Sequence, residues 1–262
     1  MTVRIALAAL ACVGIMVCAL AVAGASAEVV REGTLQVSFN GGISPQKLPR
    51  DELAPVTVLM SGKITTTDRS VPPKLETIVL AINKEGVLDD KGLPTCSIAK
   101  LNSLGSAQAK KACAGALIGH GNVTSRVSLP SQGAFASTGE LLAFNGRLHG
   151  KPAVLAQVAS KAPLPLTYVI AFEVKKSGGN FGTTLIGTLP PIASEYGYIS
   201  AFSLALSRIY TFKGEKHSYA SASCPAPEGF PGASFPFAKA EYKFAEGISM
   251  RSSLVRECKV KK

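Results

Sequence analysis

The stretch Leu166-Thr167-Tyr168-Val169-Ile170-Ala171-Phe172-Glu173-Val174 decides the fold class. Its even positions are Leu, Tyr, Ile, Phe and Val, and Thr167, Ala171 and Glu173 stand among the odd ones. A period of two sets one face against a core and the other toward water, which is the pattern of a strand. Ser177-Gly178-Gly179-Asn180 follows and predicts a hairpin turn into a second strand over Phe181–Leu189.

The same alternation recurs in both directions along the chain. Ala238–Phe244 sets Ala, Ala, Tyr and Phe against Lys239, Glu241 and Lys243, and Glu246-Gly247 leads into Met250–Val260. Tyr198–Phe212 is the longest run, with Phe202, Leu204, Leu206, Tyr210 and Phe212 sharing one parity. Lys213-Gly214-Glu215 then returns the chain into His217–Ser223. Earlier strands are expected over Thr34–Asn40, Val56–Ile64, Leu75–Asn83, Leu117–Leu129, Glu140–Leu148 and Ala153–Val158. Many short strands divided by turn signals predict an all-β chain, an antiparallel β-sandwich or flattened barrel. Ser106–Cys113 breaks the pattern: it is rich in helix formers, carries Lys110 and Lys111 in its last turn and stops at Gly115. One short α-helix is therefore expected near 104–113. Phe39-Asn40-Gly41-Gly42 and Phe144-Asn145-Gly146-Arg147 echo each other, as two related halves or as two tight turns. The expectation is a single large β domain over 28–262, with a division into two layers or halves near residue 135 as the alternative.

Composition narrows the class further. Of 262 residues, 47% are hydrophobic and 17% charged, against about 25% charged in average chains. That is enough apolar side chain to exclude disorder, and the pattern excludes collagen, coiled coil and a multi-span membrane protein. Arg4 precedes an uncharged run from Ile5 to Ala27 that ends Ala25-Ser26-Ala27, just before Glu28. A basic start, an apolar centre and small residues at the end predict a signal peptide over 1–27. An uncleaved anchor is the rival, because about 20 apolar residues span a bilayer. Cleavage leaves 27 bases against 17 acids, a net charge of +10. A secreted or cell-envelope cation of this kind is expected to meet an anionic cell-wall polymer or another envelope protein. Nothing in the chain matches a nucleic-acid or nucleotide motif, and a membrane is expected only through an uncleaved N-terminus.

Four cysteines lie beyond the leader: Cys96, Cys113, Cys224 and Cys258. An even number in an exported chain predicts two disulfides. Of three connectivities, the sequence-local pairs Cys96–Cys113 and Cys224–Cys258 are expected, since each brackets a compact segment. Zinc is not expected, because close cysteine or histidine pairs are missing, and no cofactor is implied.

Catalysis needs convergent groups, and the sequence offers few. His120, His149 and His217 each sit beside a glycine or in an expected turn, and solvated turn histidines are the plainer explanation. Glu140 and Glu173 fall on or beside strands, where a pair could line a cleft for glycoside hydrolysis. Asp89-Asp90-Lys91-Gly92 has the character of a solvated turn. Cys224–Phe237 is dense in proline, which argues against a central strand and for a rigid loop. Phe230, Phe235 and Phe237 on it either fold back to plug the end of the fold or form a stiffened apolar patch for a partner; the plug is preferred. The chain has no Trp, which weakens a carbohydrate platform.

The segments Glu140-Leu-Leu-Ala-Phe-Asn-Gly-Arg-Leu-His-Gly-Lys-Pro-Ala and Ser223-Cys-Pro-Ala-Pro-Glu-Gly-Phe-Pro-Gly-Ala, with the Cys96-to-Cys113 block, carry a family resemblance. The chain resembles uncharacterised exported proteins of high-GC, soil-dwelling Gram-positive (actinobacterial) species. That resemblance implies export, a bacterial source and a β-rich fold, and brings no catalytic residue. The expected function is a non-catalytic binding or structural role in the envelope. A hydrolase of extracellular polysaccharide or envelope polymer is the alternative, and requires Glu140, Glu173 and the histidines to converge. A cationic cell-wall-binding module is the third.

Overall fold

The computed structural model describes residues 27–128, 133–160, 165–195 and 197–261. The signal peptide expected over 1–27 falls outside the described residues except for Ala27, as do Ser131 and Gln132 beside the alternative division near 135.

The chain runs through β1 (Glu28–Glu32), β2 (Leu35–Ser44), β3 (Lys47–Leu48), β4 (Ala54–Pro55), β5 (Thr57–Thr66), β6 (Leu75–Asn83) and β7 (Gly86–Leu88). Two helices follow, α1 (Ile98–Asn102) and α2 (Ser106–Ala112). Then come β8 (Leu117–Val127), β9 (Phe135–Leu148), β10 (Lys151–Ser160), β11 (Leu166–Lys176), β12 (Phe181–Thr188) and β13 (Gly197–Leu206). The last elements are β14 (Ile209–Phe212), β15 (Glu215–Ser218), β16 (Ala220–Ala222), β17 (Gly232–Phe244) and β18 (Ser249–Val260). Among the described residues thirteen strands form one sheet in the order β1-β2-β5-β13-β8-β9-β10-β11-β12-β6-β17-β18-β3. Every pairing in it is antiparallel except β3 with β18. β14–β15 and β4–β16–β7 form two small sheets beside it.

The large sheet curls until β18 faces β1 and β2. Its long edges meet through side chains: Arg256 donates from Nε to the Gly41 carbonyl and from Nη2 to Asn40 Oδ1, both at 2.6 Å. The result is the all-β, antiparallel, flattened barrel. Curling a sheet takes glycines and bulges where backbones approach. A Cβ at Gly121 would sit 1.9 Å from the Ser203 carbonyl oxygen on the neighbouring strand, and the register shifts between Leu117 and Gly119 and between Ile199 and Ala201.

The middle of β9, Leu141–Gly146, and most of β10, Ala153–Ala159, are buried on both faces, which is why these stretches are largely apolar without alternation. Leu141, Ala143, Val154, Ala156 and Val158 face the barrel interior. Leu142, Phe144, Ala153 and Leu155 face outward under the helical segment, with Leu101 and Ala109. Buried Gln157 reaches the end of α1, its Nε2 donating to the carbonyls of Leu101 at 2.6 Å and Leu104 at 2.8 Å. Cys96–Cys113, with Cα atoms 5.8 Å apart, closes the base of this segment. The expected helix is α2; α1 precedes it, capped by the Ser97 side chain.

Three local expectations are corrected. Tyr198–Phe212 is two strands, because β13 stops at Leu206, opposite Gly119. Beyond it, β14 pairs with β15 as a separate hairpin, drawn onto the Asp89–Gly92 turn by the Tyr210 hydroxyl, which donates to the Lys91 carbonyl at 2.8 Å. Pro236 lies inside β17, at the bulge where the register shifts before Ala238. Pairing with β6 begins only at Ala238, so this part of β17 has β18 alone as a ladder partner and tolerates a residue without an N–H. Asn40-Gly41 and Asn145-Gly146 are not turns but lie within β2 and β9.

Candidate functional site

The inward faces of ten strands, β2, β5, β13, β8, β9, β10, β11, β12, β6 and β17, surround one apolar lumen. Its wall includes Val37, Ile64, Ile78, Leu141, Val158 and Ile170. A void of about 110 Å³ occupies the middle. It adjoins a second of about 50 Å³ that shares Phe39, Met60 and Leu80 with it. A third of about 40 Å³ shares Val123 and Val158. Tyr242 brings a hydroxyl to this wall, and burial pushes its pKa well above the ordinary tyrosine range. Ser200, at the β13 bulge, donates to the Thr124 carbonyl at 3.1 Å and is satisfied within the wall.

Two phenylalanines set the shape of the void. A Cβ on Gly62 would come within 2.6 Å of the Phe202 ring, and one on Gly187 within 2.5 Å of the Phe172 ring. Each ring therefore lies against the neighbouring strand where a side chain is missing. Both rings keep partial exposure although they are packed against the core.

The two ends of the lumen differ. Around the 50 Å³ void stand Glu85, Ser221, Ser223, Phe235 and Phe237, and the small sheet β4–β16–β7 closes that end. The Ser223 hydroxyl donates to Glu85 Oε2 at 2.9 Å. Cys224–Cys258, Cα atoms 5.7 Å apart, joins the start of the proline-rich loop to β18 there. Arg50 fastens the same loop, with Nη1 donating to the carbonyls of Ala226 and Pro227 and Nη2 to that of Phe230. At the opposite end a 3-10 turn, Pro191–Ser194, packs Ile192 and Ala193 against the core. Ser125, Arg126 and Tyr198 line the rim beside it.

The residues singled out in the sequence do not gather at one place. The four cysteines form the sequence-local pairs Cys96–Cys113 and Cys224–Cys258. Phe235 and Phe237 are buried at 7% and 5% exposure, while Phe230 is 60% exposed at the tip of the loop. Glu140, Glu173, His120, His149 and His217 line none of the voids. Glu140 pairs with Lys110 of α2 on the outer face. Glu173 pairs with Lys151 at 3.1 Å and Lys175 at 3.7 Å, and the Lys151 hydrogen bond holds its carboxyl below the usual range. His120 is exposed on β8, opposite Leu142, and so belongs to a strand rather than to a turn. His149 occupies the β9–β10 turn with φ of 50°. His217 stacks on Tyr210 at 5.5 Å, with Nδ1 3.9 Å from Asp89 Oδ2. The Tyr210 hydroxyl is turned to backbone carbonyls, so this cluster presents no activated nucleophile. Among the described residues no group of three His, Cys, Asp or Glu side chains is placed to hold a metal ion. No described helix is long and apolar enough to cross a membrane.

No protein-family model matches this chain, and neither curated proteins nor solved structures give a significant match. Among the described residues an apolar void is lined by ten strands, and Glu140, Glu173 and the three histidines stand away from it.

Proposed function

We propose that this protein is an exported, non-catalytic binding protein whose barrel lumen holds a small apolar ligand. The apolar void in the middle of the fold carries this reading. Cores are normally packed to crystal-like density. A void of about 110 Å³ left empty costs roughly 2–3 kcal/mol at about 24 cal/mol per Å³. An apolar ligand recovers that deficit, and in doing so stabilises the fold by mass action. An engineered apolar cavity of about 150 Å³ stays dry and takes up benzene, so voids of this order do bind hydrocarbons. Export is supported by the basic start and small-residue ending of residues 1–27. The surplus of bases over acids supports contact with anionic wall polymers or an envelope partner at the outer surface, separately from the lumen.

The test is equilibrium titration with an apolar naphthylamine fluorophore. Saturable uptake of one probe per chain, insensitive to salt, is expected. Ala156→Phe, which adds a ring to the lumen wall, is expected to abolish it. Absence of saturable uptake, or equal uptake by the filled variant, overturns the reading.

A further inference from the structure

We infer that the ligand is a single unbranched acyl chain, lying along the lumen axis with its polar end toward the Pro191–Ser194 turn. This rests on the lumen being a ligand site, and four observations lead from there to the ligand class.

The first is chemistry. Apart from Ser38, Lys63, Ser200 and the Tyr242 hydroxyl the lining is apolar, and the Ser200 hydroxyl is already bonded within the wall. A ligand with heteroatoms along its length would bury them without partners, at a cost of roughly 1–3 kcal/mol each. A hydrocarbon chain buries none.

The second is length. Lining residues on β6 run from Leu75 to Ile82, a distance of about 23 Å at roughly 3.3 Å per residue. One leaflet of a bilayer has a hydrocarbon thickness of about 15 Å, so an extended acyl chain fits lengthwise.

The third is bore. On the measure by which one water needs about 10–15 Å³, the central void of about 110 Å³ holds a file of roughly ten water-sized atoms. Spread along the Leu75–Leu80 part of β6 that lines it, about 17 Å at roughly 3.3 Å per residue, it admits one chain, not two side by side and not a fused-ring system. Phe202 on Gly62 and Phe172 on Gly187 set this bore from strands four places apart in the sheet. Each ring has room to lie flat only because the facing residue lacks a Cβ. The fourth is access at the ends: β7 and β16 cover one end, where Glu85 is already bonded by the Ser223 hydroxyl, while Ser125, Arg126 and Tyr198 line the other.

The experiment is calorimetric titration of the full chain with octanoate, dodecanoate and hexadecanoate, beside cholesterol and the naphthylamine fluorophore. Affinity is expected to rise about fourfold per added methylene between octanoate and dodecanoate, the factor for burying one CH₂. Cholesterol is expected not to bind. Gly62→Ala and Gly187→Ala, which push a ring into the bore, are each expected to weaken dodecanoate by about tenfold or more. Phe202→Leu is expected to retain dodecanoate and to admit cholesterol. Should Gly62→Ala fail to fold, Gly187→Ala and Phe202→Leu decide.

Fluorophore uptake without fatty-acid uptake, or affinity independent of chain length, overturns the acyl assignment and leaves the lumen reading standing. Uptake of neither overturns both. Incubation with phosphatidylglycerol vesicles carrying a fluorescent acyl phospholipid assigns the source: transfer to the protein marks a membrane lipid, and binding of fatty acid without transfer marks the free acid.

Discussion

Arg256 on β18 donates from Nε to the carbonyl of Gly41 on β2, 2.6 Å away, and this bond spans the seam that turns a curled sheet into a barrel. The same guanidinium reaches Asn40 Oδ1. Its parity along β18 is that of Met250, Leu254 and Cys258, so it leans toward the interior, and partial burial lowers its pKa. Gly41 belongs to this arrangement: a Cβ there would lie 3.0 Å from the Leu59 carbonyl oxygen and 3.3 Å from the Phe237 ring. Without the seam there is no enclosed lumen, so the ligand reading depends on it.

Arg256→Met keeps much of the stem and removes both seam bonds, together with the bond from Nη1 to the Val255 carbonyl. Hydrogen bonds to charged groups contribute roughly 1.5–3 kcal/mol, and the partly exposed site places the expected loss near the lower end, about 2 kcal/mol. Urea denaturation measures it. A larger fractional loss of fluorophore affinity than of stability is also expected, because the seam bounds the lumen.

The two disulfides close loops of 17 and 34 residues. Loop-closure entropy gives about 3 kcal/mol for the first and about 4 kcal/mol for the second. Replacing each pair by serine and comparing denaturation midpoints tests the order. Loss of Cys224–Cys258 is expected to be the costlier change, and to open the sealed end of the lumen to quenching of a bound probe by iodide.

Gln157 ties the helical segment to the sheet through two carbonyls at the end of α1. Gln157→Leu leaves those carbonyls buried without their donor, an expected cost of roughly 1–3 kcal/mol. Hydrogen exchange in α1 is expected to accelerate while exchange in β9 and β10 stays slow.

Tyr168, Tyr219 and Tyr242 are buried, and burial raises the pKa of each well above its ordinary value of 10.0. In the folded chain they keep their protons where the unfolded chain gives them up. The folded state then binds more protons, and stability falls as pH rises through about 10. With three such groups the slope approaches roughly 4 kcal/mol per pH unit. Denaturation between neutral and strongly alkaline pH is expected to show this loss, and Tyr242→Phe to reduce it by about a third.

Phe235 and Phe230 stand five residues apart on the same proline-rich stretch, yet one is core and one is surface. Phe235→Ala is expected to cost about 3–5 kcal/mol, and Phe230→Ala less than about 0.5 kcal/mol. Thermal unfolding of the two variants separates them.

Strand positions were legible because alternation is local. The even positions from Leu166 to Val174 are the inward face of β11, and the turns at Ser177–Asn180, Lys213-Gly214 and Glu246-Gly247 close the hairpins expected of them. The disulfide pairing was legible as well, because each bridge spans a short stretch of chain. Where β13 ends, and that Pro236 can sit in a strand, followed from which neighbours run alongside, and no single segment carries that information.

The sequence alone determined the class of structure, since side-chain alternation, turn residues and cysteine count act over a few residues each. The order of thirteen strands, the closure at Arg256 and the lumen itself were decided only in three dimensions. Inward parity names the residues of an interior, but whether that interior is filled or hollow depends on how side chains from ten strands meet across it. Gly62 and Gly187 give no local sign of the rings they accommodate, because Phe202 and Phe172 reach them only once the sheet has formed.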